Sequence, residues 1–200
     1  LLVPPIFVGG IYPAWLDALS RKGLPTETHN QSLAAFFSRV FGGDSFHSLS
    51  LGGETLRFPF GPSSAAFGRT VWFLFSLTVV AALFRLARRN GKMGDRDPLL
   101  MGVALAACFL PAHLIWKSYF VLGIPLLAAL FFEAKNDEVF FRKLFYPVLS
   151  AGIFLAFTSI DFVGPRTSAW IEAVSPFFWI HLALTITGYF RLFSRPSRSV

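Results

Sequence analysis

The side chains able to do chemistry fall in two short stretches. The first is His29-Asn30-Gln31-Ser32, followed by Arg39. Amides and a hydroxyl at a helix start, beside unsatisfied backbone N–H groups and the positive end of the helix dipole, favour a phosphate or sugar hydroxyls. Arg39, two turns further on, can pair with a phosphate in fork geometry. The same residues also read as an ordinary capped helix with a solvated arginine, Asn30 or Ser32 being the cap. Asn30-Gln31-Ser32 matches the N-glycosylation acceptor pattern too, a triplet common by chance.

The second stretch is Pro111-Ala112-His113-Leu114-Ile115-Trp116-Lys117-Ser118-Tyr119, ahead of Pro125. Ionisable groups inside a membrane segment are expensive and point to function. Lys117 can neutralise a lipid phosphate, while Trp116 and Tyr119 suit stacking on a sugar or the interfacial belt. Alternatively, the three anchor a hairpin corner. His113 lacks partners at ligand spacing, so no metal site is expected, and no cofactor. Asp161 is the best-placed carboxylate at the outer end of an apolar segment. Structural pairing with Arg166 is the favoured reading, with a weaker claim as a base. Glu172 and His181 belong to the last apolar segment but to different faces or levels of it. His47 lies in an irregular connector.

These groups must be positioned by an unusually apolar chain. It is 54% hydrophobic and 14% charged, with 25 Phe, and its mean hydropathy is +0.58. Soluble domains carry roughly 25% charged residues, so an integral membrane protein is expected, in contact with membrane lipids. The net charge of +7 does not indicate nucleic acid, because no nucleic-acid module is recognisable. Much of it falls in Arg85 to Lys92 and in Arg191 to Arg198, directly after apolar segments, where basic residues mark cytoplasmic ends. Cys108, the single cysteine, can form no intrachain disulfide; among Ala106, Ala107, Phe109 and Leu110 it reads as a buried inert thiol. The opening Leu1-Leu2-Val3-Pro4-Pro5 lacks the basic start of a signal peptide and reads as the tail of a membrane helix. The chain is therefore expected to be the C-terminal part of a longer protein.

The expected fold class is all-α, a polytopic membrane helix bundle. Residues 1–11 end one span, 12–66 form an extracytoplasmic loop, and further spans cover about 67–86, 97–111, 117–132, 144–160 and 170–190. A single helix over 98–132 would be about 52 Å long, too long for a hydrocarbon core of about 30 Å. Pro111, His113 and Lys117 interrupt it, and proline removes a backbone donor, so two short spans and a polar corner are expected. With the basic loop 85–97 cytoplasmic, this division also leaves the basic C-terminus cytoplasmic. Loop 12–66, corner 111–117 and loop 161–169 then share the extracytoplasmic face. From Ser32 to Phe41, apolar residues at 33, 36, 37, 40 and 41 predict a helix along the membrane surface with one greasy face. Residues 42–66, rich in Gly, Ser and Pro, read as a connector.

No GxSxG, P-loop, GxGxxG or HExxH motif occurs. Asn30-Gln31-Ser32-Leu33 followed by Arg39 resembles the NQSL…R motif of the membrane glycosyltransferases in glycosyltransferase family 87. These are GT-C-fold enzymes that include polyprenyl-phosphate-mannose-dependent mannosyltransferases. Trp116 and Pro125 keep the spacing of a second family motif, and Trp116-Lys117-Ser118-Tyr119-Phe120 resembles a Trp-Lys-x-Tyr-Phe variant of it. Ala112 and His113 replace that motif's Ser-Pro, and Ser118 and Tyr119 replace its His pair.

The resemblance implies a GT-C-like fold and transfer of a hexose from a polyprenyl-phosphate donor to a lipid or glycan acceptor outside the cell membrane. It assigns Arg39, Lys117 and His113 to the donor phosphate, and Asn30 and Gln31 to the sugar or to loop organisation. His29, Ser32, Trp116 and Tyr119 complete the candidate substrate site. The general base of such enzymes lies in a first extracytoplasmic loop, which here would precede Leu1. A transporter or flippase for a lipid-linked or anionic substrate, and a non-catalytic membrane scaffold, are the rival classes.

Overall fold

The computed structural model describes residues 30–41, 46–47, 55–56, 64–90, 97–112, 117–135, 137–158 and 160–194. Over these residues the chain is helical apart from one minimal ladder. The elements are α1 (Leu33–Phe41), β1 (Phe46–His47), β2 (Thr55–Leu56), α2 (Ala65–Asn90), α3 (Pro98–Phe109), a 3-10 helix (Lys117–Gly123), α4 (Ile124–Ala134), α5 (Glu138–Phe157), α6 (Ile160–Ala173) and α7 (Pro176–Ser194). The antiparallel ladder pairs Phe46 with Leu56 and His47 with Thr55, so the connector expected over 42–66 carries local order.

Helix starts follow from side-chain acceptors. Asp97 Oδ1 accepts from Leu99 N at 2.9 Å and Leu100 N at 3.3 Å, and Pro98 occupies the first turn, where its missing N–H is harmless. Asp137 Oδ1 accepts from Phe140 N at 3.0 Å, capping α5. Asp95-Arg96-Asp97 has the acidic-pair spacing that soluble nucleotide-sugar transferases use for metal; Asp97 Oδ1 caps α3, and Asp95 lies outside the described residues. Asp97→Ala should lower stability by about 1 kcal/mol, as measured by thermal unfolding in detergent.

The helices α3, α4 and α7 form the centre. Gly102 lets α3 approach α4 so closely that a Cβ would lie 2.8 Å from Leu126 Cα. Gly188 of α7 sits against Val103 and Leu126. His181 meets Ala106 while Gly188 meets Val103, so α7 runs antiparallel to α3. Two apolar clusters result. One joins Leu86, Leu99, Leu130, Ala134, Leu144 and Leu192; the other joins Leu33, Val79, Ala107, Leu110 and Phe178. Basic residues gather beside the first. Arg85 lies over the Phe193 ring at 5.4 Å, and Arg191 Nη2 reaches Asp137 Oδ2 at 3.4 Å.

Among the described residues, one helix, Ala66–Arg88 within α2, is long and apolar enough to cross a membrane by itself. Its Phe73, Leu74, Leu77, Val80 and Phe84 are exposed. The apolar helices Pro98–Phe109 and Phe120–Ala134 are shorter, and α6 and α7 pass the same test only as a pair bent by 47°.

Three expectations are corrected. Residues 161–169 are helical, not a loop, with α6 kinked at Gly164 (φ 78°) ahead of Pro165. The apolar run 170–190 is not one helix. It breaks at Ser175, which takes φ 52°, ahead of Pro176, whose ring and missing N–H cannot continue α6. Cys108 is exposed, not buried: the inward positions of α3 are Leu99, Gly102, Val103, Ala106 and Ala107, and Cys108 falls off that stripe.

Candidate functional site

The first polar stretch is built on a helix start. Ser32 Oγ accepts from Ala35 N at 3.1 Å and Ser32 O from Phe36 N at 3.0 Å, so Ser32 caps α1. Asn30 Oδ1 accepts from Ser32 N at 3.0 Å, the local turn that short amide side chains make with the backbone two residues on. The greasy face of α1 packs sideways. Phe41 lies 4.9 Å from Phe67 at the start of α2, and Phe36 lies 5.3 Å from Trp179 of α7. Ser64 N donates to Phe41 O at 2.6 Å, joining α1 to α2.

A solvated arginine is not what the structure contains. Arg39 is 2% exposed, with its guanidinium directed at the break between α6 and α7. Nε donates to Ala173 O at 3.0 Å, Nη1 to Asn30 O at 3.1 Å and Nη2 to Ser175 Oγ at 2.7 Å. Gln31 Nε2 donates to Glu172 O at 2.9 Å. Two of the last carbonyls of α6, Ala173 O and Glu172 O (which also accepts from Ser175 N at 3.0 Å), thus receive the polar side chains of α1. This also explains why the side of α1 bearing Ala34, Ala35, Ser38 and Arg39 is buried along with Leu33, although periodicity pointed to the phenylalanine face. Small residues allow close approach there, and Gln31 Nε2 and the Arg39 donors are hydrogen-bonded.

Burial lowers the Arg39 guanidinium to about 9, and the Glu172 carboxylate opposes that drop. The group therefore stays a cation at neutral pH. Glu172 is itself only 8% exposed. Its sequence position placed it on a membrane span, away from any candidate group; the fold brings its turn of α6 against the polar side chains of α1. Ser175 was also missed, although Ser175-Pro176 is a readable signal, a helix breaker preceded by a cap-type residue.

In the second stretch, His113 and Trp116 lie outside the described residues, as does His29. Lys117 and Tyr119 lie in the 3-10 helix. That helix rests on the start of α7: Phe120 lies 5.5 Å from Phe177 and 5.4 Å from His181, ring to ring. Gly123 leaves room for the His181 ring, since a Cβ there would lie 3.0 Å from Nδ1. His181 Nε2 donates to Ala106 O at 3.0 Å. The first turns of α7 are therefore held by α1 through Ser175 and support the 3-10 helix through Phe177 and His181. Leu33 and Leu110, which flank the two stretches, belong to one apolar cluster, with Phe120 packed against it.

Asp161 is not paired with Arg166. Both are exposed on opposite sides of the Gly164 kink, and no ion pair joins them among the described residues. Beside the α6–α7 break, residues of α5 and α7 line an open apolar cleft of about 600 Å³. Its walls include Phe36, Phe154, Val174, Pro176 and Trp179, and Trp179 Nε1 donates to Val174 O at 2.9 Å.

Comparison with protein-family models, with curated proteins and with solved structures gives no match. What is established is a helical protein with a polar joint buried at the start of α7.

Proposed function

We propose that the protein is a multi-pass membrane glycosyltransferase of the GT-C type, resembling glycosyltransferase family 87. It would move a hexose, mannose foremost, from a polyprenyl phosphate to a lipid or glycan acceptor on the extracytoplasmic face. The observation that carries this reading is the Asn30-Gln31-Ser32-Leu33…Arg39 motif followed by the Trp116-Lys117 corner, with both stretches tied to the first turns of α7. The apolar cleft beside that joint has the lining an isoprenoid chain needs.

In this reading the acceptor oxygen bonds to the anomeric carbon as the bond from that carbon to the phosphate oxygen breaks. A carboxylate takes the acceptor proton, and the polyprenyl phosphate leaves with its charge stabilised by Lys117 and His113. Trp116 and Tyr119 offer ring faces to the sugar. Arg39, turned inward, holds the joint. Lys117→Ala in the full-length protein is expected to slow transfer from polyprenyl-phosphate mannose by about a hundredfold, measured as labelled product in membranes; an unchanged rate would sink the reading.

One observation favours a second reading. Two apolar helices meeting at a 47° break resemble the discontinuous helices of transporters, whose substrate sites lie near the bilayer midplane. Cysteine labelling at 29–39 and 113–119 separates the two. Access from one side only supports the transferase, and alternating access at Lys117 supports transport.

A further inference from the structure

The end of the bundle away from the 3-10 helix carries a different kind of chemistry. His181 meets Ala106 and Gly188 meets Val103, so the last turn of α7 lies toward the start of α3. Leu86, Leu99, Ala134, Leu144 and Leu192 share one apolar cluster there. It brings together the ends of α2, α4 and α7 with the starts of α3 and α5.

Cations line this end, each over an aromatic ring. Arg85 lies over Phe193 at 5.4 Å, Arg88 over Phe84 at 4.4 Å, Lys135 over Phe132 at 5.1 Å and Arg191 over Phe140 at 4.5 Å. Arg191 also reaches Asp137, and Arg142 reaches Glu138. Arg85, Arg88 and Lys135 are exposed and form no ion pair among the described residues. The surface beside them is apolar. On α2, Phe73, Leu77, Val80 and Phe84 are exposed and recur at helical spacing, and Arg88 continues that stripe one turn on. Phe132, under Lys135, is exposed as well. Water is a poor neighbour for so long an apolar stripe, and hydrocarbon is the one that fits. A cation one turn past it falls at the depth of lipid phosphates.

We propose that Arg85, Arg88 and Lys135 form a binding surface for anionic phospholipid headgroups, the cations taking phosphate oxygens while Phe84 and Phe132 lie among the acyl chains. A soluble phosphate or a nucleic acid would answer the charge but leave the exposed rings in water. A zwitterionic headgroup brings its own ammonium, so three cations without carboxylate partners favour a lipid of net negative charge. Attraction to an anionic membrane surface is worth about fivefold in the equilibrium constant for each Lys or Arg. The surface is separate from the Lys117 segment, and its test needs no sugar transfer.

That test uses the full-length protein in mixed micelles, with phosphatidylglycerol and phosphatidylcholine of the same acyl chains as probes. Native mass spectrometry counts the lipids retained and gives the preference for phosphatidylglycerol. Arg85→Gln, Arg88→Gln and Lys135→Gln should each lower that preference about fivefold, and the three combined by at least about tenfold. Arg85→Lys with Arg88→Lys should keep it, because the charge stays. Arg142→Gln should change it by less than about twofold, since that guanidinium is already paired with Glu138.

An undiminished preference in the single and combined glutamine variants would overturn the surface. So would an equal loss in Arg142→Gln, which would reduce the effect to net charge. Displacement of phosphatidylglycerol by inorganic phosphate, or by a single-stranded RNA, would assign the cations to a soluble anion and overturn the lipid as occupant.

Discussion

Arg39→Ala is expected to remove about 3–5 kcal/mol of fold stability, a large part of the 5–15 kcal/mol or so that a domain commonly has. The loss has two sources. Ala173 O, Asn30 O and Ser175 Oγ each lose a charge-assisted donor, and such bonds are roughly twice as strong as neutral ones. The Arg39 stem, buried with the rest of the residue, loses its packing as well. Denaturant or thermal unfolding in detergent would measure the effect, with Arg142→Ala as the reference. Arg142 pairs with Glu138 at 2.6 Å, but both side chains are mostly exposed, and such pairs contribute about 0–1 kcal/mol. Equal losses at the two positions would show that burial of Arg39 counts for nothing.

Gly102→Ala should destabilise the protein by about 1–3 kcal/mol, even though alanine is the better helix former by about 1 kcal/mol. The new Cβ would lie 2.8 Å from Leu126 Cα and 3.1 Å from Leu126 N. Backbone atoms cannot rotate away, so α3 and α4 must separate. Leu126 also supports Gly188 of α7, so the separation reaches all three central helices. Gly152→Ala is the control: no atom lies within 4 Å of its Cβ position, and a gain of about 0.5–1 kcal/mol is expected there. The opposite signs, read as shifts in unfolding midpoint, isolate the close approach from helix propensity. A gain at both positions would mean that α3 and α4 do not meet at Gly102.

Particular residues show how far the sequence could be read. The cap at Asn30 and Ser32 was legible because it is local. An amide or hydroxyl ahead of an apolar period satisfies backbone donors within a few residues, whatever the rest of the chain does. The fate of Arg39 was not legible. A helical period locates a greasy face, but whether the opposite face meets water or another helix end depends on segments more than a hundred residues away. The outward placement of Cys108 was hidden for a related reason. In an apolar stretch every neighbour is hydrophobic, so composition cannot tell the packed stripe from the exposed one. The absent Asp161–Arg166 pair was lost to the Gly164 kink between them.

By itself, the chain determined its helical class, the starts of α1 and α3 and the concentration of polar chemistry in two short stretches. Those properties depend on periodicity, caps and composition, which act within one or two turns. Only the tertiary structure decided that Gln31 and Arg39 reach the end of α6, and that the 3-10 helix bearing Lys117 leans on the same turns of α7. The physical reason is that a helix end leaves carbonyls unsatisfied, and which distant donor satisfies them is settled by packing.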